Sequence, residues 1–314
     1  MTTPVSVQSN PFWSAFSPPS QRAQQVISPT ASTDSSVSEI SLAPPYFFLD
    51  EGADLAGRVT SFGLQREATE AKFGDIQNYY AQFDHEGDDG VAENEDDFYA
   101  TFCDFFRAHP NITKLNFYYE AIRFETFKLV MGAAQAAGCQ IERVDLGGCH
   151  QVAEQLCAEL NLDWMFQVKS LSMDECSRIK TLSLKGLTRL EVLSANFCRG
   201  LTHVDLGGLT ALKELSLNNC LGITSLNFQG LPQLQTVSAK QCRGLTDIEN
   251  LEEAVQLNEL DLTDDRAIET LNVSPCKDLK TLILTDCRGL TTLTITGLTL
   301  TTFERERCLN LPSE

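Results

Sequence analysis

Cysteine is the residue type whose spacing first invites a chemical reading. Cys149, Cys176, Cys198, Cys220, Cys242, Cys287 and Cys308 stand in one column, each five residues after an apolar residue, and its middle members are 22 apart. Thiolates ligate metals and attack electrophiles, so such a column could in principle carry chemistry. The geometry of a repeat argues against it. Side chains one repeat apart on stacked strands lie about 4.8 Å from each other and point the same way. Parallel thiols without a Cys-x-x-Cys pair cannot close a tetrahedron. The column therefore reads as core filling, because free cysteine behaves as a small buried hydrophobe with a weak donor. His85, His109, His150 and His203 are scattered, and no nucleophile with a base, metal cluster or phosphate loop has usable spacing. We expect a chain that is not an enzyme and needs no cofactor.

One acidic segment competes with that expectation. Residues 84–95 resemble an EF-hand calcium loop, with Asp84, Glu86 and Asp88 as first, third and fifth ligands and Glu95 as the bidentate twelfth. Asp89 stands at the sixth position, where the sharp turn wants glycine, and Gly90 comes one place late. A solvated acidic linker is the first reading, and a calcium-regulated binder the alternative.

The elements that would position these groups follow from the period. Residues 212–220 read Leu-x-x-Leu-x-Leu-x-x-Cys, and the residue five before the column runs Leu115, Val144, Leu171, Leu193, Leu215, Val237, Leu260, Leu282 and Phe303. Self-similarity at this spacing marks a solenoid, and the unit resembles the leucine-rich repeat. That resemblance implies an α/β solenoid, a horseshoe with a parallel sheet on its concave face. The first two coils are longer, at 29 and 27 residues, and fit helices along Phe124, Phe127, Met131 and Ala134 and along Val152, Leu156 and Leu160. They resemble the ribonuclease-inhibitor type.

Later coils are too short for a helix and carry a second apolar ladder, Leu182, Val204, Leu226, Ile248, Leu271 and Leu293. That predicts a second parallel sheet. Gly186, Gly208, Gly230 and Gly297 fall where the chain must turn, which suits positive φ. Asp265 interrupts the cysteine column, and its coil should be the least comfortable. In the last coil Arg305 falls at an inward position, a device that would discourage edge pairing.

Recognition would use the side chains that alternate with the buried ladder. Candidates are Tyr118, Tyr119, Asp174, Asn196, Asn218, Lys240 and Asp261, with Phe197 as an aromatic anchor. A rim of Arg199, Arg243, Arg266 and Arg288 follows the column. Either it meets carboxylates on a partner, or Asp264, Asp265 and Asp286 neutralise it locally, the reading we prefer.

Composition bounds the rest. A net charge of −19, from 24 Lys and Arg against 43 Asp and Glu, disfavours nucleic acid and anionic membranes, since phosphate binding draws on cations. The expected partner is a protein, met by a monomer. An odd total of 11 cysteines, most of them in one column, points to reduced thiols and a cytoplasmic setting. Three regions are expected: a disordered tail over residues 1–45, a helical region over 46–110 containing the acidic loop 84–97, and repeats over 111–314. The tail is rich in Ser, Thr, Pro and Gln and has no Lys and no Leu before Leu42, so it cannot bury enough apolar area to fold. Its composition resembles the secretion signals of type III effectors from Gram-negative bacteria, which implies delivery into a host cell's cytosol. Effector families also fuse such repeats to ubiquitin ligase domains, which leaves a ligase adaptor as a further alternative.

Overall fold

A computed structural model describes residues 70–72, 95–159 and 162–311. They belong to two compact units, Met1–Ile112 with Lys128–Cys139 and Thr113–Phe127 with Gln140–Glu314. The proline-rich tail and the calcium-loop candidates Asp84, Glu86 and Asp88 lie outside the described residues.

In the first unit a short strand, β1 (Glu70–Lys72), and a helix, α1 (Glu95–Ala108), precede Pro110. Glu95, the expected twelfth ligand, is the first residue of that helix. The helix stops where the proline ring would collide with a carbonyl one turn back. Phe102, Cys103, Phe105 and Phe106 are buried, as their helical spacing requires. The buried His109 ring donates from Nδ1 to the Phe105 carbonyl at 2.8 Å. The helix α2 (Phe124–Ala136) contributes its second half to this unit, where the Tyr99 hydroxyl donates to the Gly132 carbonyl at 3.3 Å. Gly138, at φ +86°, closes α2 and lets the Cys139 amide reach back to the Ala134 carbonyl.

The second unit is a stack of coils. Its long sheet is parallel throughout, in the order β2 (Lys114–Asn116), β3 (Arg143–Asp145), β4 (Ser170–Ser172), β6 (Val192–Ser194), β8 (Glu214–Ser216), β10 (Thr236–Ser238), β12 (Glu259–Asp261), β14 (Thr281–Ile283) and β16 (Thr302–Glu304). The middle residues pair in register from Leu115 through Val144, Leu171, Leu193, Leu215, Val237, Leu260 and Leu282 to Phe303. These are the rungs read from the sequence. All but the last are buried, because period-2 alternation turns each central side chain inward while its two neighbours face out. Phe303 is partly exposed under the Arg305 guanidinium, which lies 5.7 Å from its ring centroid.

Helices back the early coils as the longer steps require. Phe124 and Phe127 of α2 pack edge-on to Trp164, and α3 (His150–Ala158) buries Val152, Ala153 and Leu156. Leu160 falls beyond the end of α3 and outside the described residues. Among the described residues no helix is long and apolar enough to cross a membrane.

The second apolar ladder needs correction. It forms three separate ribbons, β5 (Thr181–Ser183) with β7 (His203–Asp205), β9 (Ser225–Asn227) with β11 (Asp247–Glu249), and β13 (Thr270–Asn272) with β15 (Thr292–Thr294). The pairs Leu182 with Val204, Leu226 with Ile248 and Leu271 with Leu293 match the expected register. One break has a visible cause. The 23-residue coil places its extra residue at Asn250, in the left-handed region at φ 57°, and a 3-10 turn over Leu251–Glu253 follows. That turn separates β11 from β13. No physical cause is evident for the break between β7 and β9.

Candidate partner-binding face

The outward side of the long sheet carries a hydrogen-bonded ladder. Ser194 Oγ and the Asn196 amide both donate to Asp174 Oδ1, at 2.6 and 2.7 Å. One coil on, Ser216 Oγ and the Asn218 amide donate to Asn196 Oδ1, at 2.7 and 2.8 Å. Ser238 Oγ and the Lys240 amide do the same to Asn218 Oδ1, both at 2.8 Å. Asn196 Nδ2 donates back to Ser194 Oγ at 2.8 Å, so both ends of that amide are occupied. The sequence showed Ser-x-Asn at a fixed repeat, which was the signal for this ladder. Asp174, Asn196 and Asn218 thus brace successive coils. Lys240 extends further and pairs with Asp261 at 2.8 Å. Asp261 is itself buried and accepts from the Thr263 hydroxyl at 2.7 Å.

The arginine rim is neutralised within the chain, though not by all the groups expected. Arg243 and Arg266 grip opposite oxygens of Asp264, each at 2.6 Å. Arg288 and Arg307 do the same to Asp286. Burial raises the Asp264 carboxyl, but the two guanidiniums outweigh it and hold the group below the usual carboxylate range. Asp265 is no counter-ion: it faces the core. Arg199 is exposed and has no ion pair among the described residues. Replacing Asp264 with Ala should cost about 1–2 kcal/mol in a urea titration. The loss should survive 0.5 M salt poorly screened, because the carboxylate is nearly buried; full suppression by salt would refute this.

The thiol column faces inward and bonds upward. Cys198, Cys220, Cys242 and Cys287 donate to the carbonyls of Met173, Ala195, Leu217 and Leu262, at 3.2, 3.1, 3.0 and 3.0 Å. Each thiol fills remaining acceptor capacity on a carbonyl just past the strand, and those of Met173, Leu217 and Leu262 also accept a turn amide. Burial pushes these thiols up, to about 12 for Cys220 and about 11 for Cys149, so little nucleophilic thiolate forms at neutral pH. Only Cys157 and Cys308 are partly exposed. Ellman's reagent should label those two slowly and the rest only on unfolding; rapid labelling of more than two thiols in the native protein would contradict the arrangement.

A second regularity escaped the sequence. The residue before each column position is left-handed: Tyr119, Gly148, Glu175, Phe197, Asn219, Gln241, Asp264, Asp286 and Arg307 all have φ between 57° and 73°. Their amides continue the ladder past the strand, as from Glu175 to the Asn196 carbonyl at 2.7 Å. Asn, Asp and Gly take this conformation readily. Tyr119, Glu175 and Phe197 do so at a cost.

Those three share one edge of the face. Tyr118, Tyr119 and Phe197 are 47, 57 and 44 % exposed. The tyrosine rings meet at 89° with centroids 4.7 Å apart, and both hydroxyls donate to the Glu175 carboxylate. They can reach it because Gly147 and Gly148 leave room, a Cβ at either position falling within 2.7 Å of a ring. The bond to Glu175 pushes the Tyr119 phenol up to about 12.

A period of 22, central leucines in register, and a buried polar-capable side chain at the ninth place of the unit together define a parallel β-solenoid whose unit resembles the leucine-rich repeat. Among solved structures, the chain is similar to TLR13 in its complex with ssRNA13, at 15 % identity over 68 % of this chain and 44 % of that one, with a TM-score of 0.28. It is also similar to the functional domain of InlJ from Listeria monocytogenes, described as including a cysteine ladder, at 15 % identity over 67 % and 52 %, TM-score 0.22. The internalin InlF from Listeria monocytogenes matches at 10 % over 75 % and 91 %, TM-score 0.19. The chain spans about half the length of the first two. No family model matches it, and no curated protein does. The fold assignment rests on the register within this chain and not on these superpositions.

Proposed function

We propose that the repeat array is a non-catalytic recognition module that binds another protein through the outward side of its long sheet. One observation carries the reading: three large aromatic side chains are held in the open on the edge of a rigid, internally hydrogen-bonded face. Aromatic anchors of this kind dominate interface energies, and stacked coils offer area over which a partner can lie. The test is capture of a partner by the intact chain, repeated with Glu214→Arg, an exposed change on β8 that leaves the Ser and Asn ladder intact. Retention unaffected by this change and by substitutions at Tyr118, Tyr119 and Phe197 would count against the face.

A finer reading makes the module a bacterial effector acting in a host cytosol. Its support is the composition of residues 1–45. Deletion of residues 2–45 should abolish export while leaving the array folded, and unchanged secretion would end that reading. A calcium-regulated binder rests on Asp84, Glu86, Asp88 and Glu95, and calorimetry without heat on calcium addition would dismiss it.

A further inference from the structure

The chain treats its rim carboxylates in two ways. In the later coils Asp264 and Asp286 each sit between two arginines from neighbouring coils. In the early coils the same left-handed column carries Glu175, flanked by Asp174 and by Asp145. Among the described residues none of these three carboxylates has a Lys, Arg or His within ion-pairing distance. Where the later coils supply guanidiniums, the early ones supply the perpendicular rings of Tyr118 and Tyr119, seated on Gly147 and Gly148 and both exposed.

We propose that Tyr118, Tyr119 and Glu175 form a receptor for one arginine side chain presented by the protein partner. The inference rests on the reading of the array as a protein-binding module and names the chemistry of what it holds. A guanidinium is planar, stacks on aromatic faces and pairs with carboxylates in a fork. The site offers the two rings for stacking and, beyond the phenol bonds, free acceptor capacity on Glu175. Asp145 and Asp174 add a field of the same sign nearby. The surplus of acidic groups in the whole chain draws a basic segment in, while the ring pair fixes where it settles. Lysine, a strongly hydrated point charge, satisfies the carboxylate but gains less from the rings.

The test titrates a hexa-arginine peptide and a hexa-lysine peptide into the full chain by calorimetry. The comparison uses Tyr118→Leu/Tyr119→Leu, which keeps apolar bulk and removes the rings, and Glu175→Gln, which is isosteric at a half-buried position. Saturable binding of hexa-arginine is expected, weakened about tenfold in each variant, with hexa-lysine weaker than hexa-arginine wherever the two rings are present and equal to it in the leucine pair. Equal binding of both peptides to wild type and variants would reduce the effect to bulk charge and overturn the site, as would no binding at all. Should the leucine pair fail to fold, Glu175→Gln decides alone. A captured partner indifferent to all these variants but lost on Glu214→Arg overturns the arginine site and leaves the module standing. Hexa-arginine binding that depends on the rings, in a chain that retains no protein, upholds the site and removes the module.

Discussion

Exchanging Asp265 for cysteine should stabilise the array by several kcal/mol at pH 7 and by almost nothing at pH 4. Asp265 occupies the column between Cys242 and Cys287 and is completely buried, and neither of its carboxylate oxygens has a hydrogen-bond partner. Its neighbours donate S–H groups to carbonyls. By the repeat register, the carbonyl facing Asp265 is that of Ala239, the counterpart of Leu217 for Cys242. A carboxylate there would set two acceptors against each other, whereas a protonated acid can donate as the thiols do. Burial drives the group up to about 9, with the Cys242 backbone offsetting only part of the shift and Asp264 and Asp261 adding to it.

The sign follows from linkage. The folded chain keeps this proton up to about pH 9, whereas the unfolded chain gives it up near 3.8. The contribution is therefore complete below about pH 4 and declines as pH rises, by roughly 1.4 kcal/mol per unit, until about pH 9. At pH 7 the decline amounts to about 4 kcal/mol. Urea titrations of wild type and Asp265→Cys from pH 4 to 9 isolate this one group, since Asp264 and Asp286 titrate alike in both. A gap between their midpoints that stays constant with pH would show that Asp265 does not hold a proton. Asp265→Asn should fall between the two, because its amide can donate but its carbonyl stays unpaired.

The same pair of aspartates shows what a sequence conceals. Asp264 and Asp265 are adjacent and alike, and charge alone assigned both to the arginine rim. The left-handed backbone at Asp264 sends it to the arginine rim and its neighbour to the core. That conformation is invisible in the residue types, because the column is filled by Tyr119, Glu175 and Phe197 as readily as by Asn219. The rungs, by contrast, were legible in full. A central leucine has one place to go in a stacked strand, and a slip of one residue would expose every rung at once. The Ser-x-Asn repeat was visible too, but read as an open recognition surface; only hydrogen-bond accounting reveals that its amides are spent on each other. Likewise the second ladder was correct pair by pair. One of the two breaks in its continuity follows an inserted residue, Asn250, whose effect on a turn no hydrophobic pattern reports.

A second column makes the tightest demand on sequence, two places after the cysteines. At Gly200 and Gly289 an added Cβ would lie far inside contact with the backbone carbonyls of Ser177 and Arg266 in the coil before; at Gly222 it would meet the Leu201 carbonyl at 2.6 Å, and at Gly244 two carbonyls at 3.0 Å. Backbone of an adjacent coil cannot swing away as a side chain would. Gly289→Ala should then cost about 3 kcal/mol, Gly222→Ala less, and Gly244→Ala about 1. Gly208→Ala is the contrasting case, with open space around it and only the strain of φ +88°, worth about 1 kcal/mol. After Cys176 the same place is taken by Arg178 in the same turn, and two later coils do without glycine in other ways. Ala267 occupies the place after Asp265, and there residues 266–267 form no hydrogen-bonded turn, whereas their counterparts after Cys198, Cys220, Cys242 and Cys287 do. Asn310, in the shorter 21-residue coil, turns its side chain to donate to the Arg288 carbonyl at 2.7 Å. Coils stabilise one another through nearest-neighbour interfaces, so an opened turn at residue 289 loosens both flanking coils. Hydrogen exchange on Gly289→Ala should show the loss of protection centred on Leu284 and Leu262 and fading towards β4. Uniform loss along the stack, or a cost no larger than that of Gly208→Ala, would mean that the close approach of backbone between coils does not constrain this fold.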